Sequence, residues 1–201
     1  MRCKHTGQMV VLCTTLLYLP SAFAQGSATD SSGRWVIAGA VNQGIDETID
    51  SSGDTYSIGN ANSLGFGYEF VNSGTWVTRL TVNYGFNEGD VGDTTNEFTV
   101  WPIELLMMYR IGPTRLGAGA GYYAQPVYTA DIDDENFEIE LDDEIGFIAA
   151  VEFEPAKFFS IGAKYSYVQY GSTDTSFVFD DGSTAHQLDG SSFGIFAVGK
   201  F

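Results

Sequence analysis

Residues 64 to 70 read Leu64-Gly65-Phe66-Gly67-Tyr68-Glu69-Phe70, with a large apolar side chain at every even position and glycine or glutamate at every odd position. This period of two predicts a β-strand with one apolar face, because successive side chains of a strand point to opposite sides. Residues 76–86 repeat the pattern, with Trp76 and Leu80 on one face and Arg79 on the other. The two stretches therefore predict neighbouring amphipathic strands.

Eight such segments follow one another along the chain, at about 35–44, 61–72, 76–86, 97–111, 115–126, 144–154, 158–170 and 190–201. Their connections alternate between tight turns and long acidic segments. The tight turns are at 73–75, 112–114 and 155–157, and the long segments are 45–60, 87–96, 127–143 and 171–189. This alternation is typical of outer-membrane barrels. We predict an all-β fold, an eight-stranded antiparallel up-and-down transmembrane β-barrel.

The face opposite the large apolar side chains carries glycines and charges. A soluble barrel would reverse this order, with apolar side chains inside, so we expect the charged face to line the lumen of a barrel in lipid. We predict a lumen ion-pair network formed by Glu69, Arg79, Glu104, Glu152, Lys164 and Lys200. The same face carries the apolar lumen residues Val36, Val77, Val100, Leu106, Met108 and Ile148.

Two strand registers make this network specific. If Asn72 faces Trp76 across the first tight turn, Glu69 lies opposite Arg79. A register with Phe86 facing Glu97 on the next pair would place Arg79 beside Glu104 as well.

Aromatic residues of the apolar face sort by height when the strands are threaded up and down. Trp35, Trp76 and Tyr109 fall near the short-turn end, and Tyr84, Trp101 and Tyr167 fall near the long-loop end. We expect two aromatic belts at two membrane interfaces.

The N-terminus has the organisation of a secretory signal peptide. Arg2 and Lys4 precede an apolar run at 9–19 and a small-x-small site that ends at Ala24. The run is about half of the ~20 residues that a membrane-spanning helix needs. We predict a signal peptide at 1–24, a flexible periplasmic segment at 25–33 and the barrel at 34–201. Both cysteines, Cys3 and Cys13, lie in the signal.

Charge excludes one class of partner. The chain has a formal net charge of −17, and none of its Lys or Arg residues lies in the four long segments. Binding to nucleic acid is therefore not expected.

Two stretches resemble known outer-membrane proteins. The last strand, 193–201, resembles the C-terminal signal that the barrel-assembly machinery reads, with Phe193, Ile195 and the terminal aromatic Phe201 as its apolar positions. The run Trp101-Pro102-Ile103-Glu104-Leu105-Leu106-Met107-Met108-Tyr109-Arg110 and the following Gly117-Ala118-Gly119-Ala120-Gly121-Tyr122-Tyr123 resemble the porin-like outer-membrane β-barrel domain family, within the OmpA-like and OmpX-like small barrels. Because Pro102 cannot donate to a strand ladder, we expect a local bulge or irregularity there.

The resemblance implies a cellular location and a set of partners. The location is the outer membrane of a Gram-negative cell envelope, with both termini in the periplasm. The partners are outer-membrane lipid, lipopolysaccharide and the assembly machinery, and the barrel is expected to be a monomer.

Residues suited to chemistry are few. His186 lies in the last long segment without a serine nucleophile at a suitable spacing, so an exposed loop histidine is the better interpretation. The third long segment is crowded with acids: Asp131, Asp133, Asp134, Glu135, Glu138, Glu140, Asp142 and Asp143. They could hold Ca²⁺ or Mg²⁺, but a solvated acidic loop, or adaptation to a saline habitat, explains them without a site.

We therefore predict no catalytic residue, no bound metal and no cofactor. The expected function is that of a non-enzymatic structural anchor, which presents acidic extracellular loops for envelope integrity or surface interaction. The alternative is a narrow OmpW-like channel for small hydrophobic molecules.

Replacing the terminal aromatic tests the C-terminal signal. Phe201→Ser should lower assembly into the outer membrane but leave secretion intact, because the signal is read only after export. The measurement is the amount of heat-modifiable barrel in outer-membrane fractions beside the amount exported. Normal barrel levels in this variant would contradict a recognition role for Phe201.

Overall fold

The structure is a computed structural model. It describes residues 32–44, 48–49, 55–56, 61–72, 75–91, 94–132, 135–171 and 187–201. The proposed signal peptide, residues 25–31 of the proposed flexible segment, and His186 lie outside these ranges. No helix in the described part of the chain is long and apolar enough to cross a membrane.

Eight long strands form the framework of the described chain. They are β1 (Ser32–Gly44), β2 (Asn62–Asn72), β3 (Trp76–Val91), β4 (Thr94–Ile111), β5 (Thr114–Ile132), β6 (Glu144–Ala156), β7 (Phe159–Tyr167) and β8 (Ser192–Lys200). Each pairs antiparallel with the next in sequence, and β8 pairs with β1 from Val36 opposite Lys200 to Gly44 opposite Ser192. The sheet is therefore a closed barrel, as predicted.

The wall alternates between an exposed apolar face and a buried inner face. Trp35, Ile37 and Val41 of β1 point outward and are exposed, while Val36 between them is fully buried. The apolar positions predicted for the lumen, Val36, Val77, Val100, Leu106, Met108 and Ile148, are all buried. A closed barrel with apolar side chains on its outer face is the arrangement found in barrels that span a lipid bilayer.

The long-loop end contains more strand than the sequence pattern predicted. Residues 87–91 and 94–96, expected in a loop, continue the β3–β4 ladder, with Glu88 opposite Glu97. Beyond the barrel, β5 continues to Ile132 and pairs with a short strand at Glu135–Glu140. Two further short pairs join 48–49 to 55–56 and 169–171 to 187–189. These extensions escaped the prediction because strands outside lipid need no apolar alternation.

The expected irregularity is present on the β3 side of Pro102, where the ladder is interrupted between Val82 opposite Ile103 and Gly85 opposite Val100. A bulge lies next to Pro102 on its β5 side. Pro102 keeps its register opposite Tyr123, and the bulge is on β5 at 125–126. Gln125 there has φ of 50°, and its amide donates to Asp143 Oδ1 at 2.7 Å. On the β3 side, Asn83 Nδ2 donates to the Pro102 carbonyl at 3.4 Å. The ladder thus tolerates the missing N–H of Pro102 without a bulge of its own.

One of the two predicted registers is confirmed and the other is wrong. Asn72 faces Trp76 and Glu69 faces Arg79, as expected. On the next pair Phe86 faces Thr99, so Arg79 lies opposite Leu106 and Glu104 lies opposite Thr81. The tight turn between β2 and β3 left little freedom of register, whereas the long β3–β4 hairpin did not constrain it.

A pair of glycines tests how closely the strands approach one another. A Cβ at Gly119 would come within 2.9 Å of the Leu105 carbonyl carbon, which is backbone and cannot move aside, whereas the nearest atom to a Cβ at Gly39 would be 3.8 Å away. We expect Gly119→Ala to destabilise the refolded barrel by about 1–3 kcal/mol. Gly39→Ala is the matched control and should leave the urea midpoint nearly unchanged. Equal urea midpoints for the two variants would show that the strands can separate enough to accept a Cβ at Gly119.

Candidate functional site

Ten charged residues of the eight strands lie on the lumen side, and every strand contributes at least one. The set comprises Arg34 of β1, Glu69 of β2, Arg79 of β3, Glu104 and Arg110 of β4, Arg115 of β5, Glu152 and Glu154 of β6, Lys164 of β7 and Lys200 of β8. All occupy inward positions of the alternating strands. Because the barrel is closed, these side chains must find partners across the lumen or remain unpaired in a confined space.

Two arginines and two glutamates form the centre of this set. Arg79 Nη2 lies 2.6 Å from Glu69 Oε2 and 2.7 Å from Glu152 Oε2. Arg115 Nη1 lies 3.0 Å from Glu69 and 3.1 Å from Glu152. All four side chains are at least 97% buried. Each guanidinium therefore touches both carboxylates, and removal of any member would leave a buried charge uncompensated.

Four more residues extend the centre toward the short-turn end. Lys200 Nζ lies 3.1 Å from Glu152 and also contacts Glu154. Arg34 Nη2 lies 2.6 Å from Glu69 and 3.2 Å from Glu154. Arg110 and Arg115 complete the contacts of Glu154. We call these eight residues the charged cluster: Arg34, Glu69, Arg79, Arg110, Arg115, Glu152, Glu154 and Lys200.

Glu104 and Lys164 stand apart from the charged cluster. Their side chains form a separate ion pair of 2.7 Å. The expected contact of Glu104 with Arg79 is therefore wrong. In the observed register Glu104 lies opposite Thr81, two residues further along β3 than Arg79. Arg79 takes Glu152 as its second carboxylate instead.

The sequence analysis missed half of the charged cluster: Arg34, Arg110, Arg115 and Glu154. The signal was present in the alternation. Arg34, Arg110 and Glu154 each lie two residues from a position already assigned to the lumen, namely Val36, Met108 and Glu152. Arg115 lies two residues before Gly117, on the glycine-rich face of its strand. Extending the alternation to the ends of each strand would have found all four.

An apolar plug fills the lumen on the long-loop side. It consists of Phe98, Val100, Tyr123, Leu141, Val168 and Tyr170, all buried. The ring of Tyr170 lies 5.8 Å from that of Phe98 and 6.1 Å from that of Tyr123. Leu141 and Tyr170 come from segments outside the eight strands, so chain from the loops folds into the mouth and closes it.

Two small cavities lie between the plug and the charged cluster. Their volumes are about 30 and 40 Å³, and Glu104 and Lys164 line both. Each has room for a few water molecules. Pockets that hold organic ligands measure roughly 300 to 1,000 Å³, so neither cavity can take a small-molecule substrate.

The other predicted site residues lie on the outer face. The belt residues Trp35, Trp76, Tyr109, Tyr84, Trp101 and Tyr167 are all exposed there, as are Phe193, Ile195 and Phe201 of the C-terminal segment. Trp76 packs on Tyr109 at 5.1 Å near the short turns, and Tyr84 packs on Trp101 at 4.9 Å nearer the long loops. Among the described residues, no group of His, Cys, Asp or Glu is arranged to hold a metal ion.

Comparisons with known proteins bear on the fold. No protein-family model and no curated sequence matches the chain. Among solved structures, it resembles Ail, the attachment invasion locus protein of Yersinia pestis, with a TM-score of 0.54 and 12% sequence identity, over 86% of this chain and 100% of that one. It also resembles Neisserial surface protein A, with a TM-score of 0.56, 12% identity and the same coverage.

The chain has the fold of the small outer-membrane β-barrels. A further structure of Ail with 13% identity and a TM-score of 0.54 contains the heparin analogue sucrose octasulfate. At these identities the likeness concerns architecture only.

The charged cluster makes a direct stability prediction. Arg79→Ala removes a guanidinium that contacts both Glu69 and Glu152, and leaves two buried carboxylates short of a partner. The loss should be about 3–5 kcal/mol. Lys157→Ala is the control, because the Lys157 side chain is exposed at the turn between β6 and β7. Equal urea midpoints for the two refolded variants would contradict the ion pairing described here.

Proposed function

We propose that the chain is a non-enzymatic structural anchor of the outer membrane, which holds an acidic surface outside the cell. In this proposal the signal at 1–24 is removed on export, the short turns and both ends of the barrel face the periplasm, and the barrel is a monomer. Outer-membrane lipid and lipopolysaccharide surround its apolar face, and the barrel-assembly machinery inserts it.

The exposed apolar band supports the membrane location. Leu64 and Phe66 of β2, Phe147 of β6 and Ile195 of β8 are each at least half exposed, although they belong to different strands around the wall. So much contiguous apolar surface on a monomer in water would favour aggregation. In a bilayer the same surface is matched by lipid.

The filled lumen is the observation that carries the anchor proposal. The charged cluster occupies the short-turn half, the apolar plug closes the long-loop half, and the two cavities between them admit only water. A solute would have to displace buried ion pairs and buried aromatic rings in succession. This arrangement disfavours the narrow hydrophobic channel, because buried aromatic rings and buried ion pairs occupy the path that a hydrophobic solute would need.

The long-loop end supports a role at the surface. Glu88, Glu97, Glu138, Glu140 and Asp143 are exposed there, and the long segments of the sequence hold no Lys or Arg. Ail binds a polyanion in the complex described above, whereas this surface would repel one. A cationic partner, or divalent cations that bridge to lipopolysaccharide, fits its charge.

Conductance decides between the anchor and the channel. The protein refolded into planar bilayers should show no steady openings, and its gel mobility should be heat-modifiable because a closed barrel resists detergent until boiled. The double variant Phe98→Ala with Tyr170→Ala, which thins the plug, should remain silent because the charged cluster still fills the lumen. Steady openings of the unmodified protein would establish the channel instead.

A further inference from the structure

The short-turn end of the lumen contains a pair of like charges that face each other. Arg110 and Arg115 are direct partners across the β4–β5 hairpin, at the inward positions next to its turn. Like charges directly opposite in a sheet repel and cost stability. The pair therefore requires an anion close to both guanidinium groups.

Glu154 is the one carboxylate of the described chain that contacts both arginines. It also contacts Arg34 and Lys200, so four cations share this single side chain. The charged cluster as a whole has five basic residues against three acidic ones. A cationic surplus in a confined lumen is unfavourable unless a further anion compensates it.

Arg110 is the cation that Glu154 satisfies least. Its ion pair of 3.3 Å is the longest in the charged cluster, and its side chain is the most exposed of the five bases, at 30%. A guanidinium carries five N–H donors, and this contact uses one of them. Arg110 therefore lies at the opening of the lumen, and Glu154 leaves most of its N–H donors available to another partner.

Other residues at the short-turn opening of the lumen are also positively charged. Arg34 is 21% exposed, and its Nη1 donates to the carbonyl oxygen of Lys157 at 2.8 Å, which brings the β6–β7 turn beside it. The Lys157 side chain is exposed. The described turns at 112–113 and 157–158 carry no acidic residue. Among the described side chains at this end, Arg34, Arg110 and Lys157 are all more exposed than Glu154.

We propose that Arg110, with Arg34 and Lys157 at its rim, binds a phosphate group at the short-turn mouth of the lumen. Arginine favours phosphate because its planar fork donates two parallel hydrogen bonds to the oxygens, and a phosphate offers several oxygens to neighbouring cations at once. Two sources supply this chemistry, a phospholipid headgroup at the membrane edge and free phosphate in solution, and the experiments below distinguish them. Only the headgroup source depends on the proposed membrane location.

Free phosphate is tested with the refolded full-length barrel in a detergent whose headgroup lacks phosphate. Inorganic phosphate replaces chloride at constant ionic strength, and binding is followed by ³¹P NMR and by the thermal unfolding midpoint. Arg110→Gln should weaken binding about tenfold or more, since it removes charge-assisted hydrogen bonds. Lys164→Gln is the control, because it removes a lumen cation that lies beyond the charged cluster, and it should leave binding unchanged.

Two more variants keep the test decisive if Arg110→Gln does not fold. Lys157→Gln changes only an exposed turn and should weaken binding by a smaller factor. Glu154→Gln removes the competing carboxylate and should strengthen binding. If phosphate does not bind the unmodified protein, free phosphate is excluded as the ligand and the lipid test decides. If phosphate binds but none of the three substitutions changes its affinity, the proposed site is overturned.

The lipid source is tested in nanodiscs with and without phosphatidylglycerol, by native mass spectrometry of the lipid that the barrel retains. Retention that is lost in Arg110→Gln identifies a headgroup as the ligand. Binding of inorganic phosphate without lipid retention identifies a soluble phosphate. Absence of both overturns the site but leaves the anchor proposal intact, since that proposal depends on the filled lumen.

Discussion

The closure of the sheet is the constraint on which the rest of the molecule depends. In lipid no water is available to satisfy an open strand edge, so a β-structure can span a bilayer only if its first and last strands pair. Here that pairing joins β1 to β8 over nine residue pairs, from Val36 opposite Lys200 to Gly44 opposite Ser192. Closure also divides the side chains into an outer set, which contacts the surroundings, and an inner set, whose polar and charged groups must pair with one another.

The inward-facing side chains find their partners in different ways at the two ends of the barrel. Toward the long loops the inner set is apolar, and chain from outside the eight strands supplies Leu141 and Tyr170 to complete the plug. Toward the short turns it is ionic, with Arg79 and Arg115 shared between Glu69 and Glu152. The ionic half is costly to desolvate, and its charges are compensated only where strands that are far apart in sequence bring their side chains together.

Charge is also divided between the two ends of the barrel. Exposed acids such as Glu138 and Asp143 lie at the long-loop end, while Arg34, Arg110 and Lys157 lie at the other. The two ends of the barrel therefore carry side chains of opposite charge. The same division accounts for the cationic surplus around Glu154, since no acidic residue of the described short turns stands near enough to relieve it.

The sequence by itself determined the strands, their faces and one register. A period of two suffices for the faces, because lipid and lumen demand opposite side chains from consecutive residues. The contact of Glu69 with Arg79 was predictable because the tight turn between β2 and β3 ties the two positions together. The partner of Glu104 was not, since the β3–β4 hairpin is long and its outer part lacks apolar alternation.

Only the tertiary structure decided how distant strands meet inside the barrel. Arg79 and Glu152 are 73 residues apart, and Lys200 reaches the same carboxylate from the last strand. Nothing local relates these positions. They meet because a closed ring of strands aims its inner side chains at a common axis, and their heights on that axis follow from registers accumulated around the whole ring.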